Sequence, residues 1–115
     1  MTSPTKRCIA LLKKEGAISQ VVERWNAFAG VRQDLFGFAD ILAMTSKREL
    51  LAIQTTSGSA HASHRIKILN EPRALLWLKC GNRIEIWSWS KRGPRGCKKV
   101  WTVRRDEITI KDYRQ

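Results

Sequence analysis

The chain has 115 residues, with 22 Lys and Arg against 10 Asp and Glu, a net charge of +12 and a pI near 10.4. This length suits one domain, and a 43% hydrophobic content with five Trp excludes a disordered chain. No apolar run approaches the roughly 20 residues that cross a bilayer, and the N-terminal apolar stretch is too short for a secretory signal. We therefore expect a soluble, cytoplasmic protein without a membrane partner.

The positive charge is concentrated in the second half of the chain. Residues 1–60 carry 8 basic and 5 acidic side chains (+3), whereas residues 61–115 carry 14 and 5 (+9). This asymmetry favours a polyanionic partner, and nucleic acid is the commonest one. A basic surface that serves only solubility, and an acidic protein partner, are the alternatives. A membrane surface is disfavoured because no basic amphipathic helix of the required hydrophobicity stands out.

The three cysteines, Cys8, Cys80 and Cys97, are widely spaced and odd in number. They contain no C-x-x-C pair, which argues against a disulfide framework and against a structural zinc site. We expect reduced thiols, partly buried as small hydrophobic groups.

The first part of the chain predicts a helix and then a hairpin of buried strands. A helix begins near Ser3 and Pro4, breaks at Gly16 and continues to about Trp25, because apolar residues recur at helical spacing. Two apolar runs, Ile41–Met44 and 50–53, flank a turn at 45–48. Runs that are apolar on both faces predict central strands covered by helices.

The second part predicts a helix pair and further strands. Ser57-Gly58-Ser59 ends the preceding strand and caps a helix over 60–69; Asn70-Glu71-Pro72 begins a helix over 73–80 that ends at Gly81. Alternation over 83–89 predicts a strand. The expected single domain, 1–115, therefore comprises a core at about 5–90, a basic loop at 91–99 and C-terminal strands within 100–110, at 100–104 and 107–110.

Asp40 and Gln54 form the most informative pair of polar residues. Asp40 begins one buried strand and Gln54 lies near the end of the next, so the two side chains are expected to converge at one edge of the sheet. An aspartate entering an apolar strand is costly unless it is paired or metal-bound. Their oxygens, with the Thr55 carbonyl, would suit Mg²⁺. Equally, Asp40 could cap a turn while Gln54 forms an ordinary strand hydrogen bond.

The element order, with Gly37-x-x-Asp40-Ile41 and a second hydrophobic strand ending in Gln54-Thr55-Thr56, resembles the PD-(D/E)XK nucleases. Within them it is most similar to small Holliday-junction-resolvase-like and VRR-NUC-type domains, over roughly residues 20–90. The resemblance implies an α/β fold, a restriction-endonuclease-like αβββαβ core, here followed by a small C-terminal β appendage. It matches the segment 32–38 to the first strand and 60–69 to the helix beside the site.

The resemblance also implies a set of site residues. Asp40 matches the metal-binding Asp, Gln54 the Glu and Thr56 the catalytic Lys, while Glu23, on the first helix, matches an additional acidic residue near the metal. Gln54 retains an oxygen, but Thr56 lacks the charge that steadies a phosphate. Lys67 or Arg65 on the following helix could supply it. The implied ligands of Mg²⁺ or Mn²⁺ are Glu23, Asp40, Gln54 and Thr55.

Three further side chains have two interpretations each. Asp34 could be another ligand, but an ion pair with Arg32 or a lysine is favoured. His61 and His64, three apart on a predicted helix, could share a metal or act as a general base. A position along a DNA-facing edge beside Arg65, or on the plain surface, is favoured for both.

The aromatic and basic residues of the last third suggest packing and phosphate binding, respectively. Trp87 and Trp89 share one strand face, opposite Ile84 and Ile86, and could stack bases. Packing in a core, covered by Trp25 and Trp77 from helices, is favoured instead. The basic loop suits phosphate contacts. The predicted DNA-binding residues are Arg32, His64, Arg65, Lys67, Lys91, Arg92, Arg95, Lys98 and Lys99.

Together these patterns predict a Mg²⁺-dependent endonuclease that hydrolyses phosphodiesters in DNA, with branched or phage-related DNA as its substrate. Asp40, Gln54, Thr56 and Lys67 are the expected catalytic residues, and Glu23 assists through a water. The alternative is a catalytically inactive nucleic-acid-binding protein on the same fold. A homodimer is expected, because a junction needs two symmetric cuts.

Overall fold

A computed structural model describes residues 3–113 of the chain. Two short 3₁₀ turns, Gly58–Ala60 and Ile110–Tyr113, accompany three helices and seven strands in this part. The helices are α1 (Pro4–Lys14), α2 (His61–Leu69) and α3 (Pro72–Lys79). The strands are β1 (Ile18–Val21), β2 (Arg24–Asn26), β3 (Val31–Gln33), β4 (Ile41–Met44), β5 (Leu50–Ser57), β6 (Arg83–Arg92) and β7 (Val100–Ile108).

A five-stranded mixed sheet organises the fold, which confirms the predicted mixed α/β class. Its strand order is β1-β4-β5-β6-β7, with β2 and β3 forming a separate two-stranded ribbon. Strand β4 pairs antiparallel with both β1 and β5, whereas β6 runs parallel to β5. The parallel pair requires a crossover, and α2 and α3 provide it.

The two faces of the sheet carry separate apolar clusters, as strand alternation requires. Ile84 and Ile86 pack on the α2 and α3 side, while Trp87 and Trp89 pack on the α1 side with Cys8. The predicted opposition of the Ile and Trp pairs on β6 is therefore confirmed, and both Trp belong to the core. None of the helices in residues 3–113 has the length and apolar character needed to cross a membrane.

The N-terminal helix is shorter than predicted. It begins after Ser3, which caps it as expected, but it ends at Lys14, and Gly16 adopts a φ of +83° that terminates the helical path. The apolar residues beyond Gly16 lie on the edge strand β1, so their helical spacing is fortuitous. Trp25 lies on β2, exposed, and does not cover β6.

The predictions of a first strand over 32–38 and of a separate C-terminal β appendage are also wrong. Only residues up to Gln33 form β3, in the ribbon, and the first strand of the main sheet is β1. The two predicted C-terminal strands are one strand, β7, paired with β6 over nine positions, from Ile84–Ile108 to Arg92–Val100. Strand β7 is therefore part of the main sheet, and its last residue, Ile108, is fully buried.

The predicted hairpin and helix pair are confirmed, with one change of cap. Strands β4 and β5 flank the turn as expected. Helix α3 is capped by Glu71, whose carboxylate accepts from the Arg73 N–H, and is followed by Gly81 at φ +89°. Helix α2 instead follows the turn Gly58–Ala60 and has no side-chain cap, so the predicted serine cap is absent there.

Candidate metal centre

Asp40 and Gln54 meet inside the fold, which confirms their predicted convergence. Asp40 directly precedes β4, and its N–H donates to the Ile53 carbonyl at 2.9 Å, extending the β4–β5 pairing. Both side chains are only 2% exposed. Gln54 Nε2 donates to Asp40 Oδ2 at 2.6 Å, and the Thr55 N–H donates to the same oxygen at 2.9 Å. The strand hairpin therefore fixes one oxygen of the aspartate.

Two further carboxylates lie beside Asp40. One oxygen each of Glu23, Asp34 and Asp40 lies within 4.8 Å of the others. Glu23 comes from the connection between β1 and β2, not from a helix as predicted, and its N–H donates to the Asp40 carbonyl at 3.3 Å. Asp34 directly follows β3. These three residues are named the acidic cluster below.

Both interpretations of Asp34, as a possible metal ligand and as part of an ion pair, agree with its position in the structure. It belongs to the acidic cluster, and its Oδ2 also accepts from Lys67 Nζ at 2.7 Å. The sequence favours only the ion pair, because strand β3 is solvated and nothing in the local pattern shows that its end approaches Asp40. The feature of the sequence that could have indicated the cluster is the position of Asp34, only six residues before Asp40.

The electrostatics of the cluster place a proton on Asp40. Burial, followed by the nearby Asp34 and Glu23 carboxyls, raises the pKa of Asp40 to about 8, although the Thr55 amide opposes this shift. Burial also opposes ionisation of Asp34, but the neighbouring Asp40 carboxyl and the Lys67 ammonium outweigh it and hold the pKa of Asp34 below its ordinary value. Without a cation, the cluster therefore relieves its repulsion by protonation.

Unpartnered buried oxygens show that these residues fit a hard divalent cation. Asp40 Oδ1 and Gln54 Oε1 are buried and have no hydrogen-bond partner within residues 3–113. A buried oxygen without a partner costs free energy, so each such atom needs an explanation. Carboxylate and amide oxygens are the ligands that Mg²⁺ and Mn²⁺ prefer. A cation held by the acidic cluster would satisfy the free Asp40 oxygen and displace the proton from Asp40.

A cationic cleft adjoins the acidic cluster. Its volume is about 400 Å³, and Arg32, Asp34, Gly37, Lys67 and Arg73 contribute to its walls. Gly37 has a φ of +79°, which favours glycine, and a Cβ there would displace the ends of the Glu71 and Arg73 side chains. No sequence pattern singles out Arg73. Of the three cations that line the cleft, Arg32 and Lys67 contact members of the acidic cluster, whereas Arg73 pairs with Glu71.

The predicted catalytic residues Thr56 and Lys67 occupy different positions relative to the cluster. Thr56 is buried on β5, opposite Ser88 of β6, and its side chain carries no charge. Thr55 contacts Asp40 through its N–H and its hydroxyl; a role for its carbonyl stays a prediction. Lys67 reaches the cluster through Asp34.

Arg65 and His61 of α2 contact residues other than those of the acidic cluster. Arg65 donates to Asp106 and Asp112, on the C-terminal side of the fold. His61 is buried, with Nδ1 2.7 Å from Ser88 Oγ and Nε2 2.8 Å from Asp106 Oδ2. Both ring nitrogens of His61 are occupied, so a metal shared by His61 and His64 is excluded, and a DNA-facing His61 is wrong.

His64 is the histidine that stays near the cluster. Burial and the neighbouring Lys67 charge lower its pKa, and Asp34 opposes this shift. Its Nδ1 is buried without a partner within residues 3–113. A DNA contact of His64 stays a prediction.

The basic loop lies well beyond the cluster along β6. Lys91 and Arg92 end β6, while Arg95, Lys98 and Lys99 lie in its exposed connection to β7. Gln54 is opposite Ile86 in the sheet. At about 3.3 Å per residue, Arg92 is therefore roughly 20 Å further along the strand. The loop and the cleft can contact the same DNA backbone only several phosphates apart.

The chain matches no protein-family model, no curated protein and no solved structure. The acidic cluster and the cationic cleft are therefore the features that indicate a function.

Proposed function

We propose that this protein is a metal-dependent DNA endonuclease of the PD-(D/E)XK type. The observation that carries the proposal is the acidic cluster: three carboxylates within 4.8 Å, two buried oxygens without partners, and a lysine 2.7 Å from one carboxylate. The order of α1, three antiparallel strands, a helical crossover and a parallel strand supports it, because the resemblance implies this order. Asp40 directly precedes the second of these strands and Gln54 lies in the third.

Each residue of the site has a distinct task under this proposal. Asp40, Glu23 and Asp34 hold Mg²⁺ or Mn²⁺, and Gln54 orients the Asp40 carboxylate through its amide. A divalent cation bound there supplies Lewis acidity to the phosphodiester. Arg32 and Arg73, both on the cleft wall, bind phosphate oxygens and keep the scissile bond beside the carboxylates.

Lys67 takes over the task of the lysine that the resemblance implies at position 56. Its Nζ contacts Asp34, on the side of the cluster that opens into the cleft. A positive charge at this point stabilises the charge that develops on the phosphate during hydrolysis. Thr56 cannot do this, because it is buried and uncharged.

A catalytically inactive DNA-binding protein is the second candidate function. The observation that favours it is the Gln54–Asp40 hydrogen bond, which satisfies an Asp40 oxygen without any cation. The raised pKa of Asp40 acts in the same direction, because a proton can replace the cation at neutral pH. Under this alternative, the basic loop and the cleft bind DNA and the cluster is a remnant.

Cleavage of a labelled plasmid and a four-way junction with Mg²⁺ or Mn²⁺ separates the two functions. The endonuclease predicts metal-dependent nicking that Asp40→Ala abolishes. Glu15→Ala is the control, because Glu15 is an exposed carboxylate at the end of α1. Tight, salt-sensitive binding without nicking would establish the inactive binder instead. Absence of both cleavage and binding would contradict both candidates and leave an acidic protein partner.

A homodimer follows from the same proposal, because two symmetric cuts require two sites. Sedimentation velocity of the protein with and without a four-way junction tests this. A monomer in both conditions would contradict the dimer.

A further inference from the structure

Exposed aromatic side chains are concentrated in the part of the chain that contains Glu23 and Asp34 of the acidic cluster. Trp25 is 62% exposed, Phe28 is fully exposed and Phe36 is 47% exposed. The remaining exposed aromatic side chain within residues 3–113 is Trp101, and Arg7 and Lys91 cover its ring. The open aromatic surface therefore lies in a single segment, 25–36, which begins two residues after Glu23 and contains Asp34.

The turn that carries Phe28 is ordered by its own hydrogen bonds. Asn26 Oδ1 accepts from the Phe28 N–H at 3.0 Å and from the Ala29 N–H at 3.1 Å. The Gly30 N–H donates to the Asn26 carbonyl at 2.8 Å, and Gly30 has a φ of +66°, which favours glycine. The Phe28 ring on this turn is fully exposed to solvent, although burial of an aromatic ring is normally favourable.

The ribbon of β2 and β3 is tied to the cluster. Trp25 lies directly opposite Arg32 in the ribbon, so their side chains share a face. Arg32 Nη1 donates to Glu23 Oε1 at 3.0 Å, and Glu23 is a member of the acidic cluster. Arg32 also lines the cationic cleft. The Trp25 ring is therefore one cross-strand neighbour away from the cleft.

We propose that the β2–β3 ribbon stacks unpaired DNA bases on Trp25 and Phe28, and that the protein acts on DNA with gaps, forks or extruded bases. The proposal rests on the proposed function, since it names the substrate class of the same site. An unpaired base offers a flat apolar face that suits an exposed aromatic ring, whereas the bases of an intact duplex are already stacked.

Charge selects nucleic acid over a second copy of this chain as the occupant. Arg24 and Arg32 are exposed on the ribbon, and the chain carries a net charge of +12. Two copies packed through the ribbon would bring like charges together, whereas DNA brings phosphates to these arginines and bases to the rings. The mixture of rings and cations in one segment is typical of single-strand binding surfaces.

Binding to two labelled DNAs in EDTA tests the proposal without cleavage. One DNA is a perfect duplex, and the other is the same duplex with a short single-stranded gap. Base–aromatic stacking contributes about 1–3 kcal/mol per base. We expect Trp25→Ala and Phe28→Ala each to weaken binding to the gapped DNA by about 10-fold and to change duplex binding by less than about two-fold. Leu76→Ala, which removes an exposed apolar side chain on α3, is the control and should change neither.

Three outcomes would overturn the stacking proposal. The first is equal affinity of the unchanged protein for both DNAs, and the second is an equal loss of both affinities in the ribbon variants. The third is a dimer that the ribbon variants dissociate without any change in DNA preference, which would assign the ribbon to a second copy.

Cleavage of the gapped DNA with Mg²⁺ separates this proposal from the proposed function. Gap preference that requires the ribbon, without cleavage, would support stacking and refute the endonuclease. Cleavage that requires Asp40, without gap preference, would support the endonuclease and refute stacking.

Discussion

The Gln54 amide donates a 2.6 Å hydrogen bond to Asp40 Oδ2, and the second Asp40 oxygen is left without a partner within residues 3–113. A glutamate at position 54 could not make this bond to an ionised Asp40, because two carboxylates repel each other unless they share a proton or a cation. Glutamine therefore lets the buried aspartate exist without a metal, and it leaves one Asp40 oxygen available for one.

Gln54→Glu should make the fold dependent on a divalent cation. The change adds a fourth carboxyl beside the acidic cluster and removes a donor to Asp40. In EDTA we expect the Tm to fall by at least about 4 °C, which corresponds to about 1 kcal/mol in a domain of this size. Mn²⁺ should raise the Tm of the variant more than that of the unchanged protein. Gln54→Leu, which removes the donor without adding charge, is the matched control. An unchanged Tm of Gln54→Glu in EDTA would contradict the close approach of residue 54 to the acidic cluster.

The raised pKa of Asp40 predicts that the metal-free protein loses stability as the pH rises. Asp40 titrates at about 8 in the folded state, against about 3.9 in an unfolded chain, so the folded state retains a proton that the unfolded state releases. This contribution to the free energy of unfolding is complete below about pH 4 and is lost as the pH rises through about 8.

Urea unfolding in EDTA between pH 5 and 9 measures this dependence. Asp34, with its lowered pKa, has the opposite dependence, but its contribution is lost only below this range. Asp40→Asn should flatten the decline, because asparagine does not titrate. The same slope in both proteins would show that Asp40 does not hold the proton.

Lys67→Met should reduce metal-dependent cleavage by about 100-fold or more, the usual effect of removing one group that stabilises charge in a transition state. Binding of the gapped or junction DNA in EDTA should change much less. Lys67→Arg, which retains the charge near Asp34, should recover part of the rate. Lys79, exposed at the end of α3, provides the control Lys79→Met. Equal cleavage by Lys67→Met and Lys79→Met would remove Lys67 from the mechanism.

His61 should contribute to stability, not to DNA binding. It is 4% exposed and links Ser88 of β6 to Asp106 of β7 from the first turn of α2. His61→Ala leaves the buried Ser88 hydroxyl without this partner, so we expect the free energy of unfolding to fall by about 1–3 kcal/mol. His64→Ala, three residues along the same helix, is the control; His64 Nδ1 makes no hydrogen bond in the described chain. A larger loss from His64→Ala would contradict this assignment.

The basic loop should set the salt dependence of DNA binding. Each phosphate contact contributes about 0.9 to the slope of log K against log salt concentration. If Lys98 and Lys99 each neutralise one phosphate, Lys98→Ala with Lys99→Ala should lower that slope by about 1.8. The adjacent pair Lys13 and Lys14, at the end of α1, provides the matched control. An unchanged slope would show that the loop does not contact the backbone.

Local patterns predicted the central hairpin and both crossover helices. Apolar runs bounded by turn residues identified β4 and β5, and Pro72 with Gly81 identified the limits of α3. The meeting of Asp40 and Gln54 follows from the same hairpin. These features depend on residues that are neighbours in sequence or across one turn.

The remaining features depend on contacts that no local pattern contains. Strand β1 has apolar residues at helical spacing, yet it pairs with β4 at the sheet edge. The sequence around Asp106 predicts a break in the C-terminal strand, but the strand continues there because His61 and Arg65 form hydrogen bonds with the Asp106 carboxylate. Asp34 joins the acidic cluster because a turn closed by the Leu35–Ala39 bridge folds the chain back toward Asp40, and no turn was predicted there. Strand β1 and Asp106, by contrast, are decided by partners distant in sequence.

The crossover between β5 and β6 also gives the chain an order of assembly. All three carboxylates and Gln54 precede α2 in sequence, whereas Lys67, the cation that contacts Asp34, lies on α2. During synthesis, the β4–β5 hairpin is therefore complete before Lys67 is made, and Arg32 is then the basic residue that pairs with the cluster, through Glu23. The Asp34–Lys67 ion pair forms only after α2 is made, and the parallel β5–β6 pairing only after the whole crossover. The acidic half of the site thus precedes the cation that contacts Asp34, and the crossover completes the site and the sheet.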